Sequence, residues 1–578
     1  MKKSVITNTL AGLVLILPLG CGGGGGDDEM PDMDDAGDTG GESGDDANVE
    51  ESGEDTDGDD DADEDEGTDD SPMVEACDEM TFTNVVDEAN CPLIQGLGVD
   101  PEPADKVEFC RRAYIDLLGE APTGDEYEAA CKWRTTEEIV DAFMIDPRFV
   151  QHSQRMWADI FHYTSDIVHH QYIIQLDDLV RQLYVGEINY DTFVELASTH
   201  PAFLGRWDGN DLVGFNFQAF LGRDATGPER LALVPLFALW EERAVPHAMQ
   251  ADAQNVVLNT LNCAVPNEAS CFSDFWGEHT VLITPPVPGD VDPDGPNVID
   301  QTSLLPAQWD SLRTFGRLLT EQPQFYEAYV DRAFKRYLGY DGDTIPEARQ
   351  ALVDMMDANG GDLLAIDREI MTSSLYTATN AWAEEEKIDA MEYDPAIWHG
   401  PVKQMDPEDW LRSAAKLTGV DLGSCDHRFP TVQSGTGGFH PNNYPDMGGA
   451  PDYAFRDRAQ LLGGCPDRVT LFRSARTGLI AALTQATLTA ELCEAADESS
   501  PIYPLQFAMD DEDKSDEALT TAANQIWSAA VIRQIPEGAA DALEAGVEGC
   551  QSLTSCVPQQ FAVETCRLTL KATDFLFY

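Results

Sequence analysis

Basic residues are scarce in this 578-residue chain. Thirty-five lysines and arginines stand against 106 aspartates and glutamates, and positions 22 to 70 hold 24 acidic residues and no basic one. With that run and the lysines at positions 2 and 3 set aside, 82 acidic and 33 basic residues remain, a balance of about −49. Such a chain repels nucleic acid and anionic membrane surfaces, so neither is an expected partner. The excess reads as a solvated surface suited to a salty medium, where screening relieves self-repulsion. No pair among the thirteen cysteines has C-x-x-C spacing and none is followed by histidine. Ribbon-type zinc, thioredoxin-like redox chemistry and covalent c-type haem therefore lose their local signature. There is also no G-x-S-x-G, no H-E-x-x-H and no phosphate-loop GK[ST] ending. With 82 acids available, any catalytic carboxylate pair would be arbitrary, and none is named. No catalytic residue and no cofactor is expected, and the reading leans away from an enzyme.

What is present begins with Lys2, Lys3 and an apolar run from Val5 to Leu19, too short to span a bilayer, ending in Gly20-Cys21. This order predicts a lipoprotein signal over 1–21, with Cys21 lipidated. Pro18 stands where such boxes usually carry leucine. Residues 22–75 have almost no apolar side chains to offset chain entropy and are expected to be a disordered acidic tether. The expected location is exported and lipid-anchored to the cell envelope, at the outer membrane, with the lipid on Cys21 as the membrane contact.

From 105 onward, helical signals dominate. Val107, Cys110, Tyr114, Leu117 and Leu118 recur at helical spacing before Gly119, predicting an amphipathic helix with a left-handed stop. Thr123 to Glu126 and Thr135 to Glu138 have capping-box spacing, and Asp146-Pro147 supplies an N-cap with proline at the first helical position. The helix that follows would bury Phe149, Val150, Trp157, Ile160 and Phe161. Arg112-Ala113-Tyr114, Leu118-Gly119, Pro122, Asp146-Pro147-Arg148-Phe149 and Trp157 together resemble the cytochrome-associated domains of unknown function in exported proteins of planctomycetes and related bacteria. The stretches Gly400–Trp410, Leu417-Thr418-Gly419, Leu461–Gly464 with Arg468, and Thr565–Phe577 resemble the companion domain of that family. In many members a Phe-Leu-Gly segment leads into a haem-like Cys-x-x-Cys-His; here Phe220-Leu221-Gly222-Arg223 runs into Asp224–Glu229, with neither thiol nor imidazole. The chain is expected to carry no haem of its own.

The landmarks return once. Arg332-Ala333-Phe334 with Leu338-Gly339 repeats Arg112-Ala113-Tyr114 with Leu118-Gly119 at an offset of 220, and Met371 and Tyr376 repeat Met144 and Phe149 at an offset of 227. The expected fold is mainly α: two related multi-helix domains with long irregular loops, disulfide-linked, at 76–283 and 304–578. A Pro/Asp-rich linker is expected over 284–303. Setting Cys21 aside leaves twelve cysteines in an exported chain, which favours disulfides. Near-sequence pairing suggests Cys77 with Cys91, Cys110 with Cys131, Cys263 with Cys271, and Cys425 with Cys465. His152, His162, His169 and His170 form the densest imidazole cluster and are the leading metal candidates, with no carboxylate-ligand spacing beside them; His399, His427 and His440 lie around later loops and leave a folded-back site with His169 open. The tryptophans, including Trp157, Trp207, Trp240, Trp276, Trp398 and Trp410, are expected in the core. The leading reading is a lipid-anchored binding or assembly module for another exported protein. The alternatives are an extracytoplasmic hydrolase of polymers and an accessory to envelope electron transfer.

Overall fold

The local signals become helices. In a computed structural model, α1 (Val85–Leu97) precedes the helices α2 (Lys106–Leu118), α3 (Gly124–Ala130), α4 (Thr136–Met144) and α5 (Pro147–Phe161), the last four joined by short connections. The model describes residues 77, 80–97, 101–162, 170–200, 209–237, 306–379, 400–420, 453–465, 478–496, 500–502, 513–554 and 556–578. Asp105 caps α2 through the amides of Val107 and Glu108, and Gly119 ends it at φ 72°. Both capping boxes form, on Thr123 with Glu126 and on Thr135 with Glu138. Asp146 caps α5 ahead of Pro147.

The chain continues through α6 (His170–Tyr184), α7 (Tyr190–Ala197), α8 (Gly209–Leu221) and α9 (Gly227–Leu233). The residues after Phe220-Leu221-Gly222 therefore form a turn and a further capping box, Thr226 with Glu229. Past 305 come α10 (Pro306–Thr320), α11 (Gln324–Tyr337), α12 (Pro346–Ala358), α13 (Leu363–Thr372) and α14 (Ser374–Thr377). The remaining helices are α15 (Pro407–Thr418), α16 (Tyr453–Leu462), α17 (Leu479–Ala495), α18 (Asp516–Val531), α19 (Glu537–Ser552), α20 (Pro558–Thr569) and α21 (Thr573–Leu576). The described residues contain no strand, only the isolated bridges Pro103 with Ala378 and Gln404 with Phe577.

Packing follows from these faces. One buried cluster takes Phe109, Tyr114, Phe149, Trp157 and Phe193 from α2 to α7 together with Phe325, Tyr337, Ile370 and Tyr376 from α11 to α14. Helices on both sides of residues 284–303, which lie outside the described residues, thus share one core, within a compact unit Ala76–Tyr578. A second cluster gathers Trp410, Leu411, Leu492, Ile526 and Leu570 with Ile115 and Ala121. Ile115 of α2 belongs to that cluster while its other buried apolar residues belong to the first. Accordingly α2 is buried on every side from Glu108 to Leu118, not amphipathic as its spacing suggested. Its charged residues face inward to specific partners.

Disulfides join Cys77 to Cys91, Cys110 to Cys131, Cys493 to Cys566, and Cys550 to Cys556. The Cys493–Cys566 bond spans 73 residues, beyond the reach of near-sequence pairing. Cys465 is disulfide-bonded, while Cys263, Cys271 and Cys425 lie outside the described residues.

Candidate functional site

The predicted imidazole cluster is not assembled among the described residues. The His152 ring nitrogen Nδ1 lies 2.7 Å from Nη2 of Arg155, whose Nη1 reaches Asp409 at 3.2 Å. Gly119 makes this approach possible: a Cβ there would overlap both His152 and Arg155. His162 ends α5 in a left-handed turn, with its ring 5.3 Å from that of Phe215. His169, His399, His427, His440 and the His170 side chain lie outside the described residues. No group of three metal-capable side chains occurs among the described residues. Trp157 and Trp410 are buried core residues, 0% and 3% exposed. Trp207, Trp240, Trp276 and Trp398 lie outside the described residues.

The structure instead builds two buried polar junctions that no motif announces. The first centres on Asp116, in the last turn of α2 and 4% exposed. Its Oδ2 accepts from the Tyr376 hydroxyl at 2.8 Å, and its Oδ1 accepts from the Tyr578 hydroxyl at 2.9 Å and from Lys403 Nζ. Lys403 also donates to the Arg336 carbonyl at 2.9 Å. Burial lowers the Lys403 pKa to about 8, against the opposing pull of Asp116. Burial, and then the Asp116 charge, raises Tyr376 and Tyr578 well above the usual phenol range. One turn back, Arg112 is 0% exposed. It donates to the carbonyls of Tyr376 and Ala378 and pairs with Glu108 Oε1 at 2.9 Å. Gly400 must be glycine here, because a Cβ would overlap the Ala378 carbonyl and crowd Arg112.

The second junction is Asp367 on α13, 1% exposed, which accepts from Tyr329 at 2.8 Å and Tyr337 at 2.9 Å. Burial raises its pKa to about 6, with Arg336 and the two hydroxyls opposing. Next to it, Trp157 Nε1 donates to Tyr184 at 3.3 Å, and the guanidinium of Arg332 lies 5.1 Å from the Trp157 ring centre.

A cleft of about 130 Å³ adjoins the first junction, lined by Val107, Glu108 and Arg111 of α2, Trp527 and Val531 of α18, and the terminal Phe577 and Tyr578, among others. Arg111 props its floor, donating to the carbonyls of Ala530 at 3.3 Å and Phe575 at 2.9 Å. Arg533 closes one side by bonding Asp105 at 2.6 Å. The terminal segment is held by a short antiparallel pairing: Lys403 N–H to the Tyr578 carbonyl at 2.9 Å, Tyr578 N–H to the Lys403 carbonyl at 3.0 Å, and Met405 N–H to the Leu576 carbonyl at 2.8 Å. With polar rim groups and apolar walls, the cleft has room for one side chain.

Residues 94–202 match a family model described as PSCyt2, a protein of unknown function (DUF1549). No curated protein and no solved structure matches the chain.

Proposed function

With residues 94–202 carrying a cytochrome-associated domain of unknown function, we propose that the protein is an exported, lipid-anchored envelope protein whose helical body binds another exported protein. The anchor half is supported by Lys2-Lys3, the apolar run and Gly20-Cys21, followed by a stretch with 24 acids and no base that would hold the body away from the membrane. The observation that carries the binding half is the open cleft between α2, α18 and the terminal residues, whose size suits a partner's single side chain.

The test is photo-crosslinking on cells. Phe577, 39% exposed at the cleft, is replaced by p-benzoylphenylalanine, and the same analogue is placed at Trp133, 82% exposed and absent from the cleft lining. The proposal predicts one exported protein joined at 577 and not at 133. Its membrane half predicts that Cys21→Ser releases the protein from the membrane fraction. No specific adduct at 577 would contradict the binding half, and an unchanged membrane fraction for Cys21→Ser would contradict the anchor.

A further inference from the structure

The cleft between α2, α18 and the terminal residues has a chemical preference of its own, because its acceptors are committed and several of its donors are not. Glu108, in its lining, gives Oε1 to Arg112 at 2.9 Å and Oε2 to Thr379 at 2.9 Å and to Arg533 at 3.4 Å. Asp105 beside it caps α2 through the amides of Val107 and Glu108 and also holds Arg533. Arg533 meets both carboxylates through Nη2 alone. Its Nε and Nη1 form no hydrogen bond among the described residues, and its side chain is 41% exposed. Trp527, also in the lining, has its Nε1 buried without a hydrogen-bond partner. Gln534 is exposed there and can donate through its amide, and Arg111 adds a second guanidinium at the floor.

An indole N–H without an acceptor has lost its water and gained nothing in exchange, so an incoming acceptor restores what folding removed. A guanidinium with free N–H groups selects a planar anionic acceptor over a neutral one, since charge-assisted hydrogen bonds are shorter and stronger. An asparagine or glutamine side chain would set its own N–H groups against these donors. In a chain whose acids outnumber its bases 106 to 35, a cleft with donors left over is a local reversal. Resting on the reading of the cleft as a docking place, we propose that the side chain it receives is a carboxylate, an aspartate or glutamate of the exported partner. Arg533 and the Trp527 indole bind the carboxylate, and Val531 and Phe577 flank its methylenes.

The test uses the mature full-length protein with nitrogen-15 in its indoles, and N-acetyl-glutamate N-methylamide as the probe against its glutamine analogue. The Trp527 indole N–H resonance, assigned by its loss in Trp527→Phe, should move saturably with the glutamate probe. The glutamine probe should need about tenfold more for the same shift. Arg533→Gln should remove the response, and Arg533→Lys, which keeps the charge, should retain most of it. Equal responses to the two probes, no response to either, or a glutamate response that survives Arg533→Gln would overturn the carboxylate. If an adduct still forms through position 577, such a result leaves the docking reading standing. A glutamate response without any adduct at 577 would overturn the exported partner as the source of the carboxylate. With an adduct, the joined peptide of the partner should carry an aspartate or glutamate at the contact, and Arg533→Gln should reduce the adduct about tenfold. A partner peptide without an acid would contradict the proposal.

Discussion

The first copy, α2 to α5, and the second, α11 to α14, run through the same order of helices but are stabilised differently. In the first, a seven-residue α3 is cross-linked to α2 by Cys110–Cys131, and the buried arginine has a carboxylate in its own helix. In the second, Val330 stands where Cys110 would be, α12 is thirteen residues long, and the buried carboxylate is Asp367, held by tyrosines. Equivalent positions also meet each other. Asp141 pairs with Arg368 at an offset of 227, and Arg336 donates to the backbone carbonyl of Asp116 at an offset of 220. These contacts set equivalent faces of the two segments against each other. Each half then departs from the other where a different neighbour covers it: Gly119 is covered by His152 and Arg155, Gly339 by Lys403.

The largest effect expected from breaking this relation is at Arg112. Arg112→Ala removes the ion pair with Glu108, which keeps Thr379 and Arg533 as partners, and frees two buried carbonyls, and should cost about 3 kcal/mol in urea unfolding. Arg332→Ala, which loses one carbonyl bond and a cation–π contact, should cost about 1–2 kcal/mol. Equal losses would mean that the two arginines are interchangeable after all.

Asp367 gives the second copy a pH signature. Its folded pKa is raised to about 6 from an ordinary 3.8. Its contribution to stability is therefore full below about pH 4 and is lost as pH rises through 6, by about 3 kcal/mol. Stability curves of the wild type and Asp367→Asn should diverge across that window and run parallel above pH 7. Parallel curves throughout would show that the carboxyl titrates normally. Removing Cys110–Cys131 by a double alanine substitution should cost about 3 kcal/mol or somewhat less, read as a shift in the urea midpoint. The smallest effect is predicted for Asp141→Ala. The Asp141–Arg368 pair is 54% and 39% exposed, so its loss should cost under about 0.5 kcal/mol and fade with added salt. A larger loss would make that pair a structural link between the copies.

What could be read from sequence was what is encoded locally. Thr123, Thr135 and Asp146 set helix starts within three residues of themselves, and Gly119 sets a stop, so spacing alone places them. Burial of α2 on all sides was not legible, because Glu108, Arg111, Arg112 and Asp116 look like a solvated face. Their partners, at Ala530, Tyr376, Phe575 and Tyr578, lie hundreds of residues away. The same distance hid the Asp116 junction and the Cys493–Cys566 bond. The different settings of Arg112 and Arg332 were visible in principle: aligning the two copies puts Ala328 opposite Glu108, but only the packing gives that difference an energetic meaning.

The central claim is that the two copies close one core across residues 284–303. It is tested most directly by placing a protease site after Gly295 and cutting the folded protein. The account predicts that the cut chain keeps the elution volume of the intact one and unfolds in a single urea transition, with a lower midpoint set by the lost connection. Two transitions, or fragments that separate and stay folded on their own, would contradict it.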